Sequence, residues 1–268
     1  MEFFPAHNQP ARAAVLISHG YAEHLGRYRG LIEALNRCGF DAYGYNHRAH
    51  GEVASTPGVK RAQVDVGTLI QDHLRARAAV IAAMEAASAQ LPLYLFGHSM
   101  GGLITAASVQ ANSAQVAGVV LSGPALRPLP RVPLVIARAG RTLARIAPGL
   151  PTAKLDAAAV SRDPQEVQAY QDDPLNYHGA VALLTATSMV LAGDKVLRTP
   201  WPGIPTFVIH GTQDRLADVA GARQFARMSQ SITLEEVEGG FHEVLNDSSR
   251  EQSLAHILDW LIEQTDQE

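Results

Sequence analysis

Six short apolar runs alternate with longer stretches of helical periodicity along the 268 residues, and this alternation restricts the fold more than any other feature. The runs occupy 13–18, 40–45, 93–96, 116–121, 206–209 and 232–237, and five of them reach a glycine within two residues of their end. Runs of this length bounded by Gly or Pro read as buried strands. Helical patterns fill 28–38, 64–88, 101–111, 218–228 and 250–263. Strand–helix alternation predicts an α/β fold: a mostly parallel twisted sheet with helices on both faces. Residues 125–200 interrupt it. They are rich in Pro and Arg and read as helical with no clear strand. The expected organisation is therefore a core formed by 1–124 and 201–268, with 125–200 inserted as a helical cap. Ligands of open α/β sheets bind beyond the carboxyl ends of the strands, so an insertion leaving the fourth strand sits over the site.

Composition removes several function classes. The net charge of −4 argues against generic nucleic-acid binding, which needs a basic surface. The single cysteine, Cys38, excludes an internal disulfide framework and a cysteine-rich zinc site. No apolar run approaches the length needed to span a bilayer, and Met1–Pro5 lacks the basic and apolar regions of a signal peptide. A soluble, cytoplasmic protein is expected.

The chemistry starts at Gly97-His98-Ser99-Met100-Gly101, which follows an expected strand and precedes an expected helix. This is the G-x-S-x-G nucleophile elbow in the strand–turn–helix setting it requires. Flanking glycines allow close backbone approach, the serine takes a strained conformation, and the next helix aims its N-terminal N–H groups at a developing oxyanion.

A serine hydroxyl needs an adjacent base, and the base an orienting acid, in the chain order Ser, acid, His. Asp214 lies in the loop after the fifth run and His242 in the loop after the sixth, both at strand carboxyl ends. Asp194 and Asp218 are the rival acids, and Asp218 is better placed to cap the helix that follows it. Among eleven histidines, His19, His24, His47 and His50 precede the nucleophile, and the His98 side chain should point away from Ser99. His178 and His256 fall in the insertion and on the last helix, and His7, His73 and His210 lie outside any loop after the nucleophile. His242 remains as the base. The oxyanion donors expected are the N–H groups of Met100, next after the nucleophile, and of Tyr21, in the loop after the first run.

These residues resemble a known family. His19-Gly20-Tyr21-Ala22-Glu23-His24-Leu25-Gly26-Arg27-Tyr28, the Arg48-Ala49-His50-Gly51 turn, Gly97–Gly102, Gly211–Asp218 and Phe241-His242-Glu243 together look like the monoacylglycerol lipase and lysophospholipase group of α/β-hydrolases. The resemblance runs over nearly the whole chain from Ala13 and is weakest in the insertion. It implies an eight-stranded core with a helical cap and no cofactor. It places nucleophile, acid and base on Ser99, Asp214 and His242, and the oxyanion donors on Tyr21 and Met100. One turn departs from the group's D-x-R-G-H-G-x-S pattern, at Asn46, Ala49 and Val53. Only a dozen residues precede Ala13, which leaves little chain for the first strands.

Within the insertion, Val132, Val135, Ile136, Ala139, Leu143 and Ile146 share one side of a helix drawn from 132 to 146, while Arg138, Arg141 and Arg145 gather on another. Residues 125–155 hold six basic residues and no acid. Such a helix either lines an acyl-chain tunnel and meets an anionic membrane surface, or packs on the core with a solvated charged face. The expected activity is that of a serine esterase on single-chain lipid esters, monoacylglycerol foremost, in peripheral contact with membranes. Lysophospholipase, general carboxylesterase, a haloperoxidase-type activity and a non-catalytic lipid-binding protein on the same fold are the alternatives.

Overall fold

A computed structural model describes residues 1–267. Seven strands form one sheet: β1 (Glu2–Phe4), β2 (Ala13–Ser18), β3 (Phe40–Gly44), β4 (Leu93–His98), β5 (Gly118–Ser122), β6 (Thr206–Gly211) and β7 (Ile232–Val237). Their spatial order is β1-β3-β2-β4-β5-β6-β7, parallel throughout except for β1, which runs antiparallel to β3. The sheet thus has seven strands, one fewer than the eight implied by the resemblance. The stretch before Ala13 supplies only the three-residue β1.

The apolar runs are continuous because β2, β4, β5 and β6 are buried on both faces. Side chains alternate across the sheet. Ala13, Val15 and Ile17 of β2 pack with Leu31, Ile32 and Leu35 of α1 (Arg29–Arg37), and Ile257 and Leu261 of the C-terminal helix (Arg250–Thr265) complete that face. Ala14 and Leu16 point the other way, towards Leu69 of α2 (Val66–Ala86) and Leu103 and Ile104 of α3 (Met100–Ala111), a face shared with Phe225 of the helix Val219–Ala226.

Between β5 and β6 the chain forms α4 (Leu134–Leu143), α5 (Pro164–Asp172) and α6 (Leu183–Val196), and the short segments Pro151–Lys154 and Ala180–Ala182 pair as an antiparallel ribbon. That ribbon corrects the strand-free expectation for 125–200. Its strands are four and three residues long, one fully exposed, so they carry no alternating pattern. α6 lies against the core, where Thr185 Oγ1 and Ser188 Oγ accept the Val64 and Val66 N–H groups at 2.9 and 3.1 Å. α4 starts later than the 132–146 expectation, because Pro133 sits at its N-cap, and it ends three residues earlier, at Leu143. Only Ala137 of α4 is buried, whereas Val135 and Ile136 are 71% and 58% exposed and Ile146 beyond its end 83%. Among the described residues no helix is long and apolar enough to cross a membrane.

Several histidines are buried and uncharged. Desolvation holds His19 and His47 well below their ordinary pKa of 6.5, assisted by the neighbouring His47 and His50 respectively. Burial also lowers His50 to about 4, and His73 and His98 to about 3. The unfolded chain protonates these rings below about pH 6.5 while the native chain does not. The unfolded state then binds more protons, so stability falls as the pH drops from 6.5. The fall continues until the native rings charge, near pH 3–4 for His50, His73 and His98. Each such proton is worth about 1.4 kcal/mol per pH unit, so urea unfolding should show a loss of at least about 3 kcal/mol between pH 6.5 and 5. A flat profile across that interval contradicts the neutral-histidine core.

Candidate active site

Ser99 joins β4 to α3 with φ 54° and ψ −118°, a conformation that costs a non-glycine residue about 1–3 kcal/mol. Backbone bonds hold it there. Ser99 N–H donates to Ser122 O at 3.0 Å, and Ser99 O accepts from Leu103 and Ala125 N–H at 3.1 and 2.9 Å. The two flanking glycines are obligatory. A Cβ on Gly97 would lie 2.6 Å from Gly101 O, and one on Gly101 would collide with Ser18 O.

The loops after β6 and β7 converge on this turn. His242 Nε2 lies 2.8 Å from Ser99 Oγ, and His242 Nδ1 lies 2.7 Å from Asp214 Oδ2. Asp214 Oδ1 accepts the N–H groups of Leu216 and Ala217 at 2.7 and 2.9 Å. Burial alone would raise the Asp214 pKa, but the His242 charge and hydrogen bonds from His210 and His242 outweigh it, so the carboxylate stays ionised far below its usual range. For His242, burial opposes protonation, and the charge and hydrogen bond of Asp214 overcome it, raising the ring above 6.5. Asp218 instead caps the helix Val219–Ala226, accepting Ala220 N–H at 2.9 Å.

Two amides border Ser99. Met100 N–H is the first of α3 and has no acceptor within the helix. The Tyr21 amide belongs to the Gly20–Tyr21 peptide, whose carbonyl accepts from His19 Nδ1 at 2.8 Å. A trans peptide points its C=O and N–H in opposite directions, so the Tyr21 N–H faces away from His19. Gly20 abuts Ser99, since a Cβ there would lie 3.2 Å from Ser99 Cβ. His19 Nε2 accepts His47 N–H at 2.9 Å, which fixes the proton on Nδ1.

Sequence reasoning gave no role to four side chains here. His210 was set aside by its place in the chain, yet its Nε2 lies 3.0 Å from Asp214 Oδ2. Glu23, Arg27 and Glu243 form a buried ion cluster beside the site. Its signal was present in the His19–Tyr28 element, but partners separated by more than 200 residues leave no local periodicity. The His98 ring turns to Ser122 Oγ at 3.2 Å.

A cavity of about 700 Å³ opens above Ser99 and His242. Leu129, Val132, Ile136, Leu155, Leu183 and Met189 of the insertion give it a largely apolar wall. Among the described residues no group of three or more His, Cys, Asp or Glu is placed to hold a metal ion. The arrangement can deliver an activated hydroxyl to a carbonyl carbon.

Residues 9–249 match the model of the family described as serine aminopeptidase, S33. A monoacylglycerol lipase from Mycolicibacterium smegmatis is 35% identical over 256 residues, covering 94% of this chain and 88% of that one. The monoglyceride lipase of Rattus norvegicus is 28% identical over 235 residues, 86% of this chain and 75% of its own. The crystal structure of the Paleococcus ferrophilus monoacylglycerol lipase superposes with a TM-score of 0.82 at 29% identity, covering 98% of this chain and all of that one.

Covalent labelling of Ser99 by a fluorophosphonate tests the geometry. The rate should fall as the pH drops through the raised pKa of His242, because only the neutral ring accepts the Ser99 proton. Asp214→Asn should move that limb to lower pH and slow labelling by up to about 10⁴-fold, the loss seen for the same change in a comparable triad. Unchanged labelling in the variant would remove Asp214 from the site.

Proposed function

Since the chain belongs to the serine aminopeptidase S33 family of α/β-hydrolases, we propose that it is a serine hydrolase of monoacylglycerol, with Ser99 as nucleophile, His242 as general base and acid, and Asp214 as the orienting carboxylate. The observation that carries this reading is the continuous Ser99–His242–Asp214 hydrogen-bond chain at the floor of a large apolar cavity. Ser99 Oγ attacks the ester carbonyl while His242 Nε2 takes its proton. The same nitrogen returns the proton to the departing glycerol oxygen, leaving an acyl-enzyme. Water, deprotonated by His242, then releases the fatty acid and restores Ser99. Asp214 holds the Nδ1–H tautomer and stabilises the imidazolium. The Tyr21 and Met100 N–H groups bind the oxyanion, each worth about 3 kcal/mol. The apolar wall suits one acyl chain, and residues 125–200 act as the cap that supplies it over a core of 1–124 and 201–268.

Fatty-acid release should be faster from monoacylglycerol than from lysophosphatidylcholine of equal chain length, and Ser99→Ala should abolish it without changing the melting temperature by more than a few degrees. Faster release from the lysophospholipid would replace the proposed substrate.

We further propose that α4 meets an anionic lipid surface. Its exposed Val135 and Ile136, with Leu143 and Ile146, form an apolar strip beside Arg138 and Arg145. Apolar insertion and attraction of arginines to anionic head groups act together in such a helix. Binding should be tighter to anionic than to neutral vesicles and should weaken with salt. Ile146→Asp should reduce it while hydrolysis of a soluble short-chain ester stays unchanged. Equal, salt-independent binding to both vesicles would rule out the electrostatic contribution.

A further inference from the structure

The loop carrying Tyr21 and the loop carrying His242 come from opposite ends of the chain, and a buried guanidinium joins them. Arg27 Nη1 donates to Glu23 Oε2 at 2.9 Å and to Glu243 Oε1 at 2.7 Å, while Nη2 donates to Glu243 Oε2 at 2.8 Å. The three side chains are 9%, 4% and 6% exposed. Each carboxylate is also fastened to a loop that borders Ser99. Glu23 Oε1 accepts the Gly20 N–H at 2.5 Å and the Tyr28 hydroxyl at 2.6 Å, and Gly20 immediately precedes Tyr21. Glu243 follows His242 in the chain, its own N–H donates to Val160 O at 2.8 Å, and Asn246 Nδ2 donates to its Oε2 at 3.1 Å. The insertion reaches the same point, with the Arg27 guanidinium 4.9 Å from the centre of the Tyr170 ring of α5.

Two carboxylates share one guanidinium in a buried place, where burial raises the Glu23 pKa while Arg27 holds that of Glu243 down. Apolar side chains of similar volume are often at least as stabilising as buried ion clusters, so stability alone is a poor reason for this one. What the cluster supplies is direction. The planar fork of arginine fixes two N–H vectors on Glu243 and a third on Glu23, which a lysine ammonium cannot reproduce.

We propose that Arg27 is a positioning residue for hydrolysis: through Glu23 and Glu243 it locks the oxyanion loop to the general-base loop, and so sets the distance between the Tyr21 N–H and His242 Nε2. The proposal rests on the reading of Ser99, His242 and Tyr21 given above. The attacking oxygen and the developing oxyanion belong to one carbonyl group, so the base and the amide donor must be registered to each other closely. Displacement by about 1 Å costs on the order of 10²-fold in rate.

The test compares Arg27→Met, Arg27→Lys and Glu243→Gln with the parent on a soluble aryl ester and by fluorophosphonate labelling, at a temperature where melting curves show every variant folded. Arg27→Met should lower kcat by about 30- to 100-fold with KM within about threefold of the parent, and Arg27→Lys should recover part of the loss. Glu243→Gln, the milder change, keeps the result readable if Arg27→Met fails to fold, and should lower kcat by about tenfold. Labelling of Ser99 should slow in parallel. A purely structural role would lower the melting temperature and leave kcat per folded molecule unchanged. Folded variants with kcat within twofold of the parent, on a parent whose Ser99 labels, overturn the positioning role and leave the triad standing. A parent that does not label overturns the triad reading and this proposal together.

Discussion

Ser99 can hold a left-handed backbone only because three separate segments close on it. Ser122 at the end of β5 receives its N–H, Ala125 at the start of the insertion donates to its carbonyl, and the Gly101 backbone lies too close to Ser18 for any side chain between them. The strain is therefore carried by the sheet, not by the turn. The order of strands follows from this need. β2 and β5 flank β4, so the loop after β2 and the strand end after β5 both arrive beside the nucleophile. The loops after β6 and β7 lie beyond β5 on the same side of the elbow, which explains how Asp214 and His242, more than 100 residues downstream, come together at Ser99.

The electrostatics of the site follow from burial. The rings around the nucleophile are kept neutral: His19 and His98 are held down by desolvation, and their nitrogens are used as neutral donors and acceptors. A charged His19 would also put a proton on Nε2, which accepts the His47 N–H, and so would unpair the turn behind the oxyanion loop. Negative charge is concentrated instead at Asp214 and in the Glu23–Arg27–Glu243 cluster. Asp214, Glu243 and Glu23 all raise the His242 pKa. A charged His242 is thus favoured, and in the proposed mechanism the oxyanion would be met by backbone dipoles that carry no charge to desolvate.

What the sequence reveals and what it hides divide along one physical line. The strands, the elbow and the positions of Asp214 and His242 are local: each is written in a run of apolar residues and in the glycine that ends it. Ser99, Asp214 and His242 were legible because each lies at the carboxyl end of such a run. The paired segments at 151–154 and 180–182 were not, because three or four exposed residues bury too little to impose an alternation. The Arg27–Glu243 pair was hidden for the opposite reason. Its partners are 216 residues apart, and neither sits in a pattern that announces the other. The spacing of α4 left two readings open, a wall of an acyl-chain tunnel and a helix packed on the core, and its apolar side faces outward and towards the cavity.

The insertion is held unevenly, and the unevenness matches two different duties. Its middle portion is fastened to the core loops at many points. Asp173 Oδ2 accepts from His24 Nε2 at 2.8 Å, Tyr177 N–H donates to Ala22 O at 2.8 Å, Glu243 N–H donates to Val160 O, and Arg162 pairs with Asp247 at 2.9 Å. Those bonds end on the loops that carry Tyr21 and His242, so a shift of this portion would move those loops with it. α4 buries only Ala137 and keeps its apolar residues in solvent. It is held by packing on α6, where Gly140 faces Thr187 and Leu183, and by an ion pair of Arg141 with Asp65. The apolar residues of α4 that line the cavity therefore continue onto the outer surface, whereas the middle portion of the insertion is tied to the loops that carry Tyr21 and His242.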